Sequence, residues 1–164
     1  MQGNSLVEEL NGVDVSDIMK FSKEKKGVFM VSLFGSDADA IKLKLRGKLK
    51  DYFKCDNHSR KLEYKSDIQD LIIDLLNLQN YNIKNLSKIK FSANPDFFLW
   101  HTWFNEVFED GGFDIVIGNP PYLKVGKDAP EALAMPDVCH GAPNLYFLFA
   151  AMGMFNLRDG GELV

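Results

Sequence analysis

The chain has 164 residues, 46% of them hydrophobic and 12% aromatic, enough for one globular domain with a real core. Its net charge of −4 excludes a broad basic footprint, so nucleic-acid contact must come from a local patch or from further parts of a longer chain. Two cysteines, Cys55 and Cys139, are too few for a disulfide framework and fit a reducing cytoplasm, no apolar stretch is long enough to span a bilayer, and no secretory leader is evident.

Residues 1 to about 35 read as irregular or short elements, with one apolar run at Val28–Phe34 that Gly35-Ser36-Asp37 breaks. From Ala38 to Lys54 two periods compete. Ile41, Leu45, Leu49 and Tyr52 recur at helical spacing, whereas Ile41–Arg46 alternates like a strand. Lys, Leu, Arg and Ala are good helix formers and no hairpin partner is evident, so a helix is expected. The cations from Lys42 to Lys50 spread around that helix and read as a solvated surface. Cys55 to Lys65 reads as a polar connector. Ser66-Asp67-Ile68-Gln69 has the spacing of a capping box, and Ile68, Leu71, Ile72, Leu75 and Leu78 follow on one helical face. The two helices suggest an antiparallel hairpin. Asn77 to Asn94 is polar and reads as helix end and loop.

Phe97, Phe98, Trp100, Trp103, Phe104 and Phe108 form a dense aromatic stretch, expected to pack beneath a strand at 113–118. Asp110-Gly111-Gly112 is the turn into that strand. Asp114 either faces a site or merely opens the strand. Leu123 to Pro143 reads as a long loop, Asn144 to Asn156 as an apolar helix, and Arg158–Gly161 as a turn. Glu162-Leu163-Val164 looks like the start of another strand, which suggests a piece of a longer protein.

The most specific feature is Asn119-Pro120-Pro121-Tyr122, fed by the apolar run Phe113–Gly118. Average residue usage would give this tetrapeptide roughly once in 300,000 positions. Ligands and chemistry in open α/β sheets sit at the carboxyl ends of strands. The segment resembles the catalytic loop of S-adenosylmethionine-dependent methyltransferases that modify an exocyclic amino group, chiefly N6-adenine DNA methyltransferases. The adenine N6 amine is a poor nucleophile because its lone pair is delocalised into the ring. Two fixed acceptors, the Asn119 side-chain carbonyl and the Pro120 main-chain carbonyl, would draw it toward a tetrahedral, nucleophilic geometry. Prolines suit this task because they fix φ and carry no competing N–H. Tyr122, with Pro121 beside it, offers a flat face for a purine, which must first leave the duplex.

The resemblance extends further. Asn94–Phe108, Gly111–Asp114 and the loop, then Asn144-Leu145-Tyr146-Phe147-Leu148-Phe149 and Asp159-Gly160-Gly161, resemble the methyltransferase region of type IIG restriction–modification enzymes. That likeness implies an α/β class, a partial Rossmann-like methyltransferase fold with an N-terminal helical hairpin insertion, truncated here. The implied organisation is an irregular segment at 1–36, the hairpin insertion at 37–95 and part of the catalytic domain at 96–164. It implies S-adenosylmethionine as cofactor, double-stranded DNA as partner, and in-line attack of N6 on the sulfonium methyl. Gly3-Asn4-Ser5-Leu6 resembles the motif whose polar residue touches the cofactor adenine, which would make Asn4 a cofactor contact. No G-x-G occurs, and in the family the glycine-rich loop and the ribose-binding acid lie upstream. The expectation is therefore a fragment that alone neither binds the cofactor well nor methylates DNA, and whose open strand edge favours self-association. The same loop also resembles that of methyltransferases acting on a release-factor glutamine or a ribosomal RNA guanine. A non-catalytic interaction or DNA-contacting module is the remaining alternative. Cys55-x-x-His58 with Cys139-His140 lacks structural-zinc spacing, so no metal is expected. Glu24-x-Lys26 and Glu63-x-Lys65 read as surface charges rather than nuclease residues.

Overall fold

The computed structural model describes residues 4–21, 37–84, 86, 97–138 and 143–164. The apolar run at 28–34, the Cys139-His140 pair and the Glu24/Lys26 pair lie outside them. The chain divides into two compact units, one of Met1–Ser16 with Ser92–Val164 and one of Asp17–Phe91.

The second unit is a helical hairpin. Helix α1 spans Asp37–Lys54 and α2 spans His58–Leu78. Lys48 meets Asp67 at 2.5 Å, and Lys61 lies over the Tyr52 ring, so residue numbers fall on one helix as they rise on the other. The pairing is antiparallel, as expected from sequence. Leu45 and Leu49 of α1 are buried, as are Ile68, Ile72, Leu75 and Leu76 of α2. Tertiary packing of these faces, more than propensity, stabilises helices of this length. The Asp67 carboxylate, its closest hydrogen-bond partner, holds the Lys48 ammonium above the ordinary lysine range. Both side chains are substantially exposed, so the pair contributes little stability.

Two expectations for this unit are corrected. The connector expected at 55–65 is mostly helix, because α2 begins at His58. Its N-cap is Asn57, whose side chain accepts from Arg60 N–H at 3.0 Å, while Ser66 lies within the helix rather than capping it. The first two turns of α2 face solvent, carry no apolar stripe and so look like a loop in sequence. Asn57→Ala should cost about 1 kcal/mol of stability. Ser66→Ala should stay within about 0.5 kcal/mol. Thermal melting of the two variants checks the assignment. The second correction concerns Lys42, one of the cations expected to be solvated. It is 3% exposed, and its Nζ donates to the Lys20 carbonyl at 2.6 Å and to Asp39 at 3.2 Å.

The first unit opens with a hairpin in a segment expected to hold irregular or short elements. Strands β1, Glu9–Leu10, and β2, Val13–Asp14, pair antiparallel with Leu10 opposite Val13. The two-residue loop Asn11-Gly12 has φ of +52° and +78°, which is what a type I′ turn demands at both positions. Residues just before it are tied to the aromatic stretch. Phe98 N–H donates to Val7 O at 2.8 Å, and Trp100 Nε1 donates to Ser5 O at 2.8 Å. Glu8 accepts from His101 N–H at 2.7 Å and contacts His101 Nδ1 at 2.8 Å.

The aromatic stretch forms two short helices, α3 at Trp100–Trp103 and α4 at Asn105–Glu109. As expected, it packs under the strand. Trp100, Phe104 and Phe108 present rings to Phe113 at centroid distances of 6.1, 5.3 and 5.7 Å, all near edge-to-face. Strand β3, Phe113–Val116, pairs parallel with β4, Leu157–Leu163. Phe113 lies opposite Leu157, but Ile115 lies opposite Glu162. Residues 158–161 therefore bulge out of the ladder, so the expected turn is a bulge inside one strand. Asp114, exposed, pairs with Arg158 of that bulge at 2.5 Å.

The crossover from β3 to β4 carries α5, Pro130–Ala134, and α6, Leu145–Phe155. The loop expected across 123–143 thus contains a short helix that five residues were too few to announce. Asn144 caps α6 by accepting from Tyr146 N–H at 3.0 Å. Leu148 of α6 meets Leu6 and Met135 in a small buried cluster. A parallel strand–helix–strand arrangement fits the expected α/β class. No described helix is long and apolar enough to cross a membrane.

Candidate active site

The ladder between β3 and β4 runs on past the last strand residues. Val164 N–H donates to Val116 O at 2.9 Å, and Gly118 N–H donates to Val164 O at 3.0 Å. Asn119 is the next residue. The tetrapeptide Asn119–Tyr122 therefore follows the carboxyl end of β3, where these backbone hydrogen bonds fix its starting point. Asn119, Pro121 and Tyr122 are exposed and Pro120 is half-buried. The Asn119 side chain makes no hydrogen bond to a described residue, so its carbonyl and amide are open to a ligand.

Residues 123–125, just past the tetrapeptide, are stitched to the start of α6. Val125 N–H donates to Pro143 O at 3.0 Å, Leu145 N–H donates to Leu123 O at 2.9 Å, and Lys124 bridges Asn144 in antiparallel register. Tyr122 lies two residues before Lys124, and Tyr146 lies in the first turn of α6, two residues after Asn144. Their rings stack, 5.1 Å between centroids and 12° from parallel. Phe147 closes edge-on to Tyr146 at 5.6 Å and 83°. Tyr122 is 82% exposed and Phe147 63%, so the aromatic group, whose Tyr122 is three residues along the chain from Asn119, forms a ledge open to solvent.

Such a site can hold a flat aromatic ligand on the ledge and accept hydrogen bonds at its edge. The structure brings Asn119, Pro120, Pro121 and Tyr122 together at one sheet edge. Tyr146, which in sequence belongs simply to an apolar helix, joins them.

Asn4, the residue expected near a cofactor, belongs to the same unit. Its Nδ2 donates to Glu131 Oε1 at 2.7 Å, and its Oδ1 accepts from Leu6 N–H at 3.2 Å. One amide hydrogen is left for a ligand. No G-x-G turn accompanies it among the described residues.

Comparison with known proteins bears on these features. The family model of the Eco57I restriction-modification methylases matches residues 16–164. A stretch of 52 residues is 40% identical to the type II methyltransferase M.PstI of Providencia stuartii, covering 32% of this chain and 10% of that protein. The chain thus aligns with about a tenth of this curated relative's length. No solved structure matches. With the family model covering nearly the whole chain, the conclusion is direct: the chain belongs to the Eco57I restriction-modification methylase family.

Proposed function

We propose that this chain supplies the target-base site of a DNA methyltransferase that modifies the N6 amine of a flipped adenine, in a restriction–modification enzyme of type IIG organisation. The observation that carries this reading is the placement of Asn119-Pro120-Pro121-Tyr122 directly after Gly118, whose N–H donates to Val164 O in the parallel ladder at the carboxyl end of β3. Asn119 Oδ1 and the Pro120 carbonyl accept the two N6 hydrogens and hold the nitrogen with its lone pair freed from the ring. Pro120 and Pro121 keep the acceptors stiff, so little reorganisation is needed at the moment of reaction. Tyr122 stacks on the extruded base on the side away from Tyr146. S-adenosylmethionine supplies the electrophilic methyl when bound. Double-stranded DNA is the partner, and recognition of its sequence falls to other parts of the protein.

The test is labelled-methyl transfer from S-adenosylmethionine by the full-length protein that carries this chain. Duplex DNA, ribosomal RNA and a release-factor protein are offered in parallel. Transfer to duplex DNA alone is expected. Transfer to RNA or to a glutamine side chain would move the loop to another amine substrate and overturn the reading.

A further inference from the structure

The chemistry above leaves Tyr146 without a task. We propose that Tyr146 is a positioning residue: it backs the Tyr122 ring and fixes the plane on which the target base stacks. The proposal rests on the reading of Tyr122 as the base platform. Tyr122 belongs to an exposed loop, and a side chain so open to solvent loses rotamer freedom when a ligand pins it. Its ring partner among the described residues is Tyr146, at 5.1 Å and 12°. Tyr146 is itself anchored. Its backbone N–H is held by Asn144 Oδ1 at 3.0 Å, Phe147 meets its ring edge-on, and the 123–125 ladder with 143–145 sets its distance from the loop. The rigid start of α6 thus pre-orders one face of Tyr122 and leaves the other for the base. The flipped purine then completes a stack of three rings without first ordering the middle one.

The test uses the full-length enzyme with two duplexes, one carrying adenine at the methylated position for rates and one carrying 2-aminopurine there for fluorescence, once that position has been mapped. Stacking quenches this fluorophore. Tyr146→Ala is expected to lower kcat/KM for DNA by roughly three- to tenfold, the range of one aromatic pair. The flipped 2-aminopurine should be brighter than in the wild type, and cofactor affinity unchanged. Tyr146→Phe, which keeps the ring, should restore both readouts. In a Tyr122→Ala background, Tyr146→Ala should add nothing. A full additive loss in that background, or wild-type brightness in Tyr146→Ala when Tyr122→Ala is bright, would overturn the proposal. If Tyr122→Ala leaves rate and brightness unchanged, the base-platform reading fails and the positioning role falls with it.

Discussion

Asn119→Ala in the full-length enzyme is expected to lower methyl transfer by at least about 10² to 10³, the effect of removing one preorganised polar group from a reacting centre. Cofactor affinity should be unchanged. Asn119 is exposed at the sheet edge and makes no hydrogen bond to a described residue, so its replacement removes no internal support. The loss should therefore appear in turnover and not in melting temperature. On the proposed reading the amide carbonyl accepts one N6 hydrogen, and alanine has no acceptor to offer. Single-turnover methylation, cofactor titration and thermal melting separate these effects. Wild-type turnover in the variant would remove Asn119 from the chemistry.

Gly112→Ala should be the most damaging single change to the fold that carries the site. Gly112 has φ of +124°, a conformation that L side chains rarely adopt. A Cβ there would lie 2.7 Å from Asn156 O, 2.8 Å from Arg158 N and 2.8 Å from Leu157 C. These are backbone atoms at the start of β4 and cannot swing aside as a side chain would. Strained φ costs on the order of 1–3 kcal/mol. Forced overpacking adds about as much. A combined loss of roughly 3 kcal/mol or more would lower the melting temperature by about 6–12 °C in a chain of this size. Gly111→Ala is the control. It shares a positive φ, +99°, but its Cβ would meet only Arg158 Cβ at 3.7 Å. Its cost should be the smaller one of conformation alone. Equal melting temperatures for the two variants would show that the close approach to β4 does not matter.

The candidate site was legible because its signals are local and rare. The run into Asn119–Tyr122, the glycine turn before β3, and the capped apolar helix α6 are each written in adjacent residues. The aromatic stretch was readable too, since rings at this density need burial and the strand at 113 was the nearest surface. The α1 helix was harder, because alternation and helical period overlap at 41–46, and the choice turned on helix formers. The start of α2 escaped because turns without a buried face leave no periodic trace. The Asn11-Gly12 hairpin escaped for a different reason: two-residue strands are too short to alternate, although the dipeptide alone was a sufficient turn signal. The Tyr122–Tyr146 stack could not be read locally. It depends on backbone pairing of 123–125 with 143–145 across an intervening segment, a tertiary fact that neither segment encodes by itself.

The most direct test of the central claim is the identity of the modified atom. Duplex DNA incubated with the full-length enzyme and S-adenosylmethionine would be digested to nucleosides and analysed by mass spectrometry. N6-methyladenine as the new nucleoside is the expected result. N4-methylcytosine or C5-methylcytosine in its place would contradict the assignment of the Asn119–Tyr122 site to an adenine amine.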